Sequence, residues 1–120
     1  MNSVWTVDVK NVWAVGDAGT ILRWDGTTWV AHESGTKNEL IGVWAADANN
    51  AWAVGATGSI LKWNGTTWTP QDSGTDRYLY GVWGLDANNV WAVGGFGTIL
   101  RWDGTKWQLQ GDGTQSLYLD

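Results

Sequence analysis

Few side chains in this 120-residue sequence have the type and spacing to do chemistry. His32 is the one imidazole, and a general-base role would require a nucleophile within hydrogen-bond reach. Its counterparts in later copies of the same phrase are Gln71 and Gln110, in segments rich in Thr and Gln, so it reads as a solvated edge residue instead. Asp47, Asn49 and Asn50, written again as Asp86, Asn88 and Asn89, would offer oxygen to a calcium ion. Calcium takes about six to eight oxygens, nothing nearby supplies the remainder, and Asp and Asn in such a run form tight turns through their own local hydrogen bonds. Cysteine is absent, which removes disulfides, thiolate metal sites and cysteine nucleophiles. No catalytic group, metal site or cofactor is expected. The pattern that best fits a ligand is an aromatic platform: Trp29, Trp68 and Trp107 each follow a turn carrying Asp25, Asn64 or Asp103. An indole beside such a group stacks on a sugar ring while the polar atoms take its hydroxyls. The same three rings would equally brace the turn, with no ligand involved.

A repeat places all of these residues. Trp5, Trp44 and Trp83 recur at 39-residue intervals, as do Trp13/Trp52/Trp91, Trp24/Trp63/Trp102 and Trp29/Trp68/Trp107, so that all 12 Trp residues fall in four columns. Fixed-period self-similarity marks a series of equivalent supersecondary units, and repeats 4–42, 43–81 and 82–120 use every residue but the first three. Within the middle copy, LIGVWAAD, AWAVG, SILKW and TWTPQ read as four short strands separated by turn residues. Asp25-Gly26, Asn64-Gly65 and Asp103-Gly104 predict two-residue type I′ hairpins. Adjacent apolar residues such as Ile60-Leu61 and Val43-Trp44-Ala45 require burial on both faces of the small sheet. The fourth strand is polar and holds Pro70, which suits an edge that can spare an amide donor. Three buried strands and one polar edge describe a blade of an all-β propeller. A β-solenoid, whose coils are usually shorter and lack hairpins of the Asp-Gly type, is the weaker alternative.

The phrase VWAVG-x-x-G-[TS]-I-L-[RK]-W-[DN]-G-T-x-W resembles the Trp-rich β-propeller repeats of many bacterial surface and secreted proteins. It is also similar to the Asp-box repeat of sialidase-type propellers, Ser/Thr-x-Asp-x-Gly-x-Thr-Trp. Asp25, Gly26, Thr28 and Trp29 match that box, as do Asn64, Gly65, Thr67 and Trp68; the third copy keeps Asp103, Gly104 and Trp107 but has Lys106 in place of Thr. The turn here is one residue shorter than the family's. The resemblance implies a fold and no activity, because the box is structural even in enzymes that carry it. Sialidase chemistry would need three convergent arginines, and Arg23, Lys62 and Arg101 occupy one column a blade apart. Copies this clean also resemble engineered or ancestrally reconstructed propeller fragments.

Propellers typically have about four to eight blades, and three leave two end faces that would each show large rings. A head-to-tail contact that repeats the internal one closes into a ring when the rotation completes a turn, and the last segment, GDGTQSLYLD, leads back into the first strand in repeat register. The expected partner is therefore an identical chain: a homodimer of six blades is favoured and a homotrimer of nine is second. A net charge of −5, from 7 Lys and Arg against 12 Asp and Glu, argues against nucleic acid. No apolar run approaches the roughly 18 residues of a membrane span, and no basic segment followed by an apolar one opens the sequence, so a soluble protein is expected. Differences among the copies concentrate on one side of the disc, in the loops between strands two and three (Asp17-Ala18, Ala56-Thr57, Gly95-Phe96) and between blades (Lys37-Asn38-Glu39, Asp76-Arg77-Tyr78, Gln115-Ser116-Leu117). Glu39, Arg77, Tyr78, Tyr80 and Phe96 form a second candidate ligand site there. Two functions follow: a self-assembling scaffold without catalysis, or a carbohydrate-binding propeller with equivalent sites around its ring.

Overall fold

The computed structural model describes residues 2–112; the predicted loop Gln115-Ser116-Leu117 and the closing residues through Asp120 lie outside the described residues. The chain is all-β, with three four-stranded antiparallel sheets of meander order. The first holds β1 (Ser3–Asp8), β2 (Asn11–Val15), β3 (Ile21–Trp24) and β4 (Trp29–His32). The second holds β5 (Leu40–Asp47), β6 (Asn50–Gly55), β7 (Ile60–Trp63) and β8 (Trp68–Gln71). The third holds β9 (Leu79–Asp86), β10 (Asn89–Gly94), β11 (Thr98–Trp102) and β12 (Trp107–Asp112). The second and third sheets begin at Leu40 and Leu79, three residues ahead of Val43 and Val82, because the residues after each linker already pair with the next strand: Leu40 lies opposite Gly55 and Leu79 opposite Gly94.

The sheets stack face to face, and the core lies between them. Between the first and second sheets, Trp13, Val15 and Ile21 meet Leu40, Val43, Ala53, Leu61, Trp63 and Trp68. Between the second and third, Trp52, Val54 and Ile60 meet Leu79, Val90, Ala92, Leu100, Trp102 and Trp107. Trp13 sits edge-on to both Trp63 and Trp68, with centroids 5.1 and 5.0 Å away and planes at 62° and 87°, the arrangement that aromatic quadrupoles favour. Burying one indole removes roughly 150–250 Å² of ring from water, a gross gain of about 4–6 kcal/mol. First strands approach one another closely: a Cβ on Gly42 of β5 would stand 3.2 Å from the Tyr80 carbonyl oxygen and 3.4 Å from Gly81 Cα of β9. The outermost strands are the polar ones, and Thr69 and Pro70 of β8 are exposed.

The hairpins between third and fourth strands differ from the predicted type I′ form. Gly26, Gly65 and Gly104 have φ near +100° (+99°, +99° and +102°), but none of the residues before them has positive φ. Trp24 pairs with Trp29, which leaves a four-residue loop, and the Asp25 carboxylate accepts the backbone N–H of Thr27 and Thr28 at 2.8 and 2.9 Å. An Asx-type side-chain bond therefore replaces the second left-handed residue. Asn64 does the same with Thr66 and Thr67 at 2.8 and 2.9 Å.

Seven-residue linkers, 33–39 and 72–78, return the chain from an outer strand to the next inner one. In each, a buried serine folds the linker on itself: the Ser73 hydroxyl donates to the Thr75 carbonyl at 3.0 Å, as the Ser34 hydroxyl does to Thr36. That carbonyl lies against Gly58, where a Cβ would meet it at 1.9 Å, and Gly58 has φ +75°. Gly74 has a similar φ of +77° but open space around it. Gly58→Ala is expected to cost more than ~2 kcal/mol through strain plus collision, and Gly74→Ala only about 1 kcal/mol through strain. Urea denaturation of the two variants beside the parent chain checks the difference.

Candidate functional site

Each sheet presents a projecting face and a receiving face. On the projecting face the second-strand Trp is flanked by a cation from the residue opposite it on the third strand. The Arg23 guanidinium lies 5.1 Å from the Trp13 ring centre and 5.9 Å from Trp63, and it donates to the Asn11 side-chain oxygen. Lys62 Nζ lies 4.9 Å over Trp52 and donates to Asn50 Oδ1 at 3.1 Å. Arg101 lies 5.4 Å from Trp91 and donates to Asn89 Oδ1 at 2.6 Å. Each Asn is fixed in turn by the turn aspartate, as when Asn50 Nδ2 donates to both Asp47 oxygens at 3.0 and 3.2 Å. The D-A-N-N run therefore has a second task that its sequence did not reveal: it orients the amide oxygen that anchors the cation under the indole. A cation on an aromatic face is worth about 0.5–2 kcal/mol, most where water is excluded.

At the two ends of the array these faces are open. Val4 and Trp29 of the first sheet are 61% and 46% exposed, whereas their internal counterparts Val43 and Trp68 are 4% and 6% exposed. Trp83 and Val93 of the third sheet are 56% and 40% exposed, against 6% and 0% for Trp44 and Val54. Both open faces nonetheless keep the internal geometry. Trp24 and Trp29 have centroids 5.7 Å apart, the separation found for Trp63–Trp68 and Trp102–Trp107. Trp83 and Trp91 are 5.8 Å apart, as are Trp44 and Trp52.

The candidate sugar platform is distributed unevenly. Trp68 and Trp107 are buried between sheets, with Trp107 Nε1 donating to Gln71 Oε1 at 2.9 Å; of the three rings only Trp29 faces solvent. Asp25, Asn64 and Asp103 direct an oxygen to the backbone N–H groups of their own turns, and the Asp103 carboxyl is drawn down to about 2 by the N–H groups of Lys106 and Thr105. The structure does not bring the three Trp/Asx pairs together. It does gather most of the loop-side candidates: the Arg77 guanidinium stacks 4.2 Å over Phe96, and the Tyr78 and Tyr80 rings are 6.4 Å apart. Glu39 stands in the preceding linker, where Oε2 accepts from Asn2 Nδ2 at 3.1 Å. Phe96, like Ala18 and Thr57 before it in the repeat, has left-handed backbone with φ 60°.

His32 lies in the first joint, its ring centroid 5.3 Å from Trp13 and 5.1 Å from Trp63. It is half-buried on the inward side of β4, so the solvated-edge reading needs correction. At the second joint Gln71 accepts the Trp107 indole N–H; at the first, the Trp68 indole N–H is buried without a partner. Burial and then the charge of Arg23 lower the His32 pKa below its ordinary 6.5. The unfolded chain therefore takes up this proton before the folded one, and stability present above pH 6.5 is lost as pH falls from there through the folded-state value. Asp8, Asp25, Asp86 and Asp103, all held below 3.8 chiefly by turn hydrogen bonds, give a separate loss at lower pH. His32→Gln is expected to raise stability by about 1 kcal/mol by supplying an acceptor to Trp68. It should also abolish the loss just below pH 6.5 while leaving the acidic one, as thermal unfolding across pH would register.

No protein-family profile matches this chain, and no curated protein does. Among solved structures, it is similar to YCF48 bound to D1 peptide, at TM-score 0.69 and 22% identity over 89% of this chain and 37% of that one. It is also similar to YCF48 from Cyanidioschyzon merolae, at TM-score 0.71 and 20% identity over 89% of this chain and 38% of the other. The chain thus spans under two-fifths of the length of these β-propellers. The likeness establishes a propeller-like fold.

Proposed function

We propose that this protein is a propeller scaffold without catalytic activity, its ring completed by head-to-tail association of identical chains of three 39-residue blades. The observation that carries this reading is the repeat equivalence of the two open faces. The residues exposed at one end belong to the same columns as the receiving face inside the chain, and those at the other end to the projecting face. An exposed face of this kind, with two indoles and several aliphatic side chains, reaches the ~300–600 Å² of the largest patch usual on a monomer. Covering it with a copy of itself satisfies both ends at once, and a heterologous contact of this type closes when its rotation completes a turn. Two chains giving six blades are favoured over three giving nine. The recurrence of all four Trp columns in each copy suits a duplicated or engineered fragment working as a building unit. Carbohydrate binding is the weaker reading, because its platform would rest on Trp29 alone, and that ring belongs to an open face.

Native mass spectrometry tests the scaffold reading. The expected species are closed assemblies of two or three 13.1-kDa chains with no larger ladder. A monomer that stays folded at high concentration would refute it, and an open-ended series of sizes would refute closure. Millimolar titration with simple sugars, followed by Trp fluorescence, should give no saturable response.

A further inference from the structure

Resting on that reading, we infer that the joint between chains is one specific contact: Trp91 of one chain seats against the Trp24–Trp29 pair of the next copy, with Arg101 between the rings. Both halves already have the required form. Inside the chain, Trp13 meets Trp63 and Trp68 at 5.1 and 5.0 Å while Arg23 spans Trp13 and Trp63. Two repeat units on from Trp13 and Arg23 the same columns supply Trp91 with Arg101 at the trailing end, and one unit back from Trp63 and Trp68 they supply Trp24 with Trp29 at the leading end. These ring and cation groups are already in place, since the Trp24–Trp29 separation and the Trp91–Arg101–Asn89 arrangement match their buried counterparts. Preorganisation of this kind lowers the cost of association.

Two positions depart from a perfect copy. Gln110, which follows Gln71 in its column, stands at a bulge where Ile99 pairs with Gly111 and Leu100 with Leu109, and its amide turns back to the Gln108 carbonyl. The Gln71–Trp107 bond therefore has no ready equivalent across the chain boundary, and the joint relies on the rings and the guanidinium, as the His32 joint does. Thr6 stands where Gly84 admits the Trp44 ring, a site at which a Cβ would come within 2.8 Å of Trp44 Cη2. The incoming Trp83 thus meets a bulkier residue between chains than Trp44 meets within one.

Complementary variants test the joint. Trp91→Glu and Trp29→Glu each lie on an open face, so both chains should remain folded by circular dichroism. Each alone is expected to be monomeric, with association weakened at least ~30-fold, the loss expected from a buried aromatic anchor. Mixed in equal amounts they should form a 1:1 dimer, because one chain retains the projecting Trp91 and the other the receiving pair. Thr6→Ala should tighten association of the parent chain, and Phe96→Ala, on the loop side, should leave its mass unchanged. If the parent assembles while either Glu variant keeps the parent's mass, the joint is wrong and the ring reading stands. If the parent is monomeric, both fail. A mixture of two folded variants that stays monomeric far above the concentration at which the parent assembles would also overturn the joint, since one intact Trp91 and Trp24–Trp29 contact remains available to it.

Discussion

The controlling constraint is that each small sheet is apolar on both faces. Its second strand projects an indole for which its own sheet has no cavity: Trp13 and Trp52 are fully buried only because the next sheet offers a Trp pair to receive them. The two end sheets each lack one such neighbour, and it is there that Val4, Trp29, Trp83 and Val93 stand exposed. Much else serves that contact. The turn aspartates orient asparagines, the asparagines anchor cations, and the cations lie against the projecting rings. The linkers, folded by Ser34 and Ser73, set one sheet against the next.

Much of this was legible in the residues. The paired apolar residues in β5 and β7 required two covered faces, and Pro70 marked the outer edge, where it is exposed. The rings of Trp13 and Trp52 lie between sheets. Less legible were features fixed by contacts distant in sequence. Trp68 and Trp107 follow a polar turn and look like surface residues, yet their burial depends on the neighbouring sheet. Gly26 suggested a type I′ turn because the dipeptide alone does not show that the Asp25 carboxylate would take over the bonding. His32 sits in a polar strand, but its ring turns to the Trp13–Trp63 joint. Left-handed backbone at Ala18, Thr57 and Phe96 has no signal in residue type, since glycine follows each of them and draws attention to itself instead.

Conserved columns and divergent loops divide the molecule's work. The Trp columns of the joint are invariant among the three copies and each keeps its cation, whereas the loop side carries Asn38 bonded to Thr57 and Ser59 in one blade and Arg77 stacked on Phe96 in the next. The same pair of positions thus accommodates a polar contact or a cation on a ring without disturbing the sheets beneath. A scaffold of this kind tolerates variation on one face because its stability is carried elsewhere.

The most direct measurement is a crystal structure of the associated species. Association through the repeated joint predicts a closed ring with two- or three-fold rotational symmetry along its axis, every chain equivalent, and Trp91 of each chain against Trp24 and Trp29 of the next. A dyad that sets Trp91 against Trp91, or a single chain with both end faces open to solvent, would contradict it.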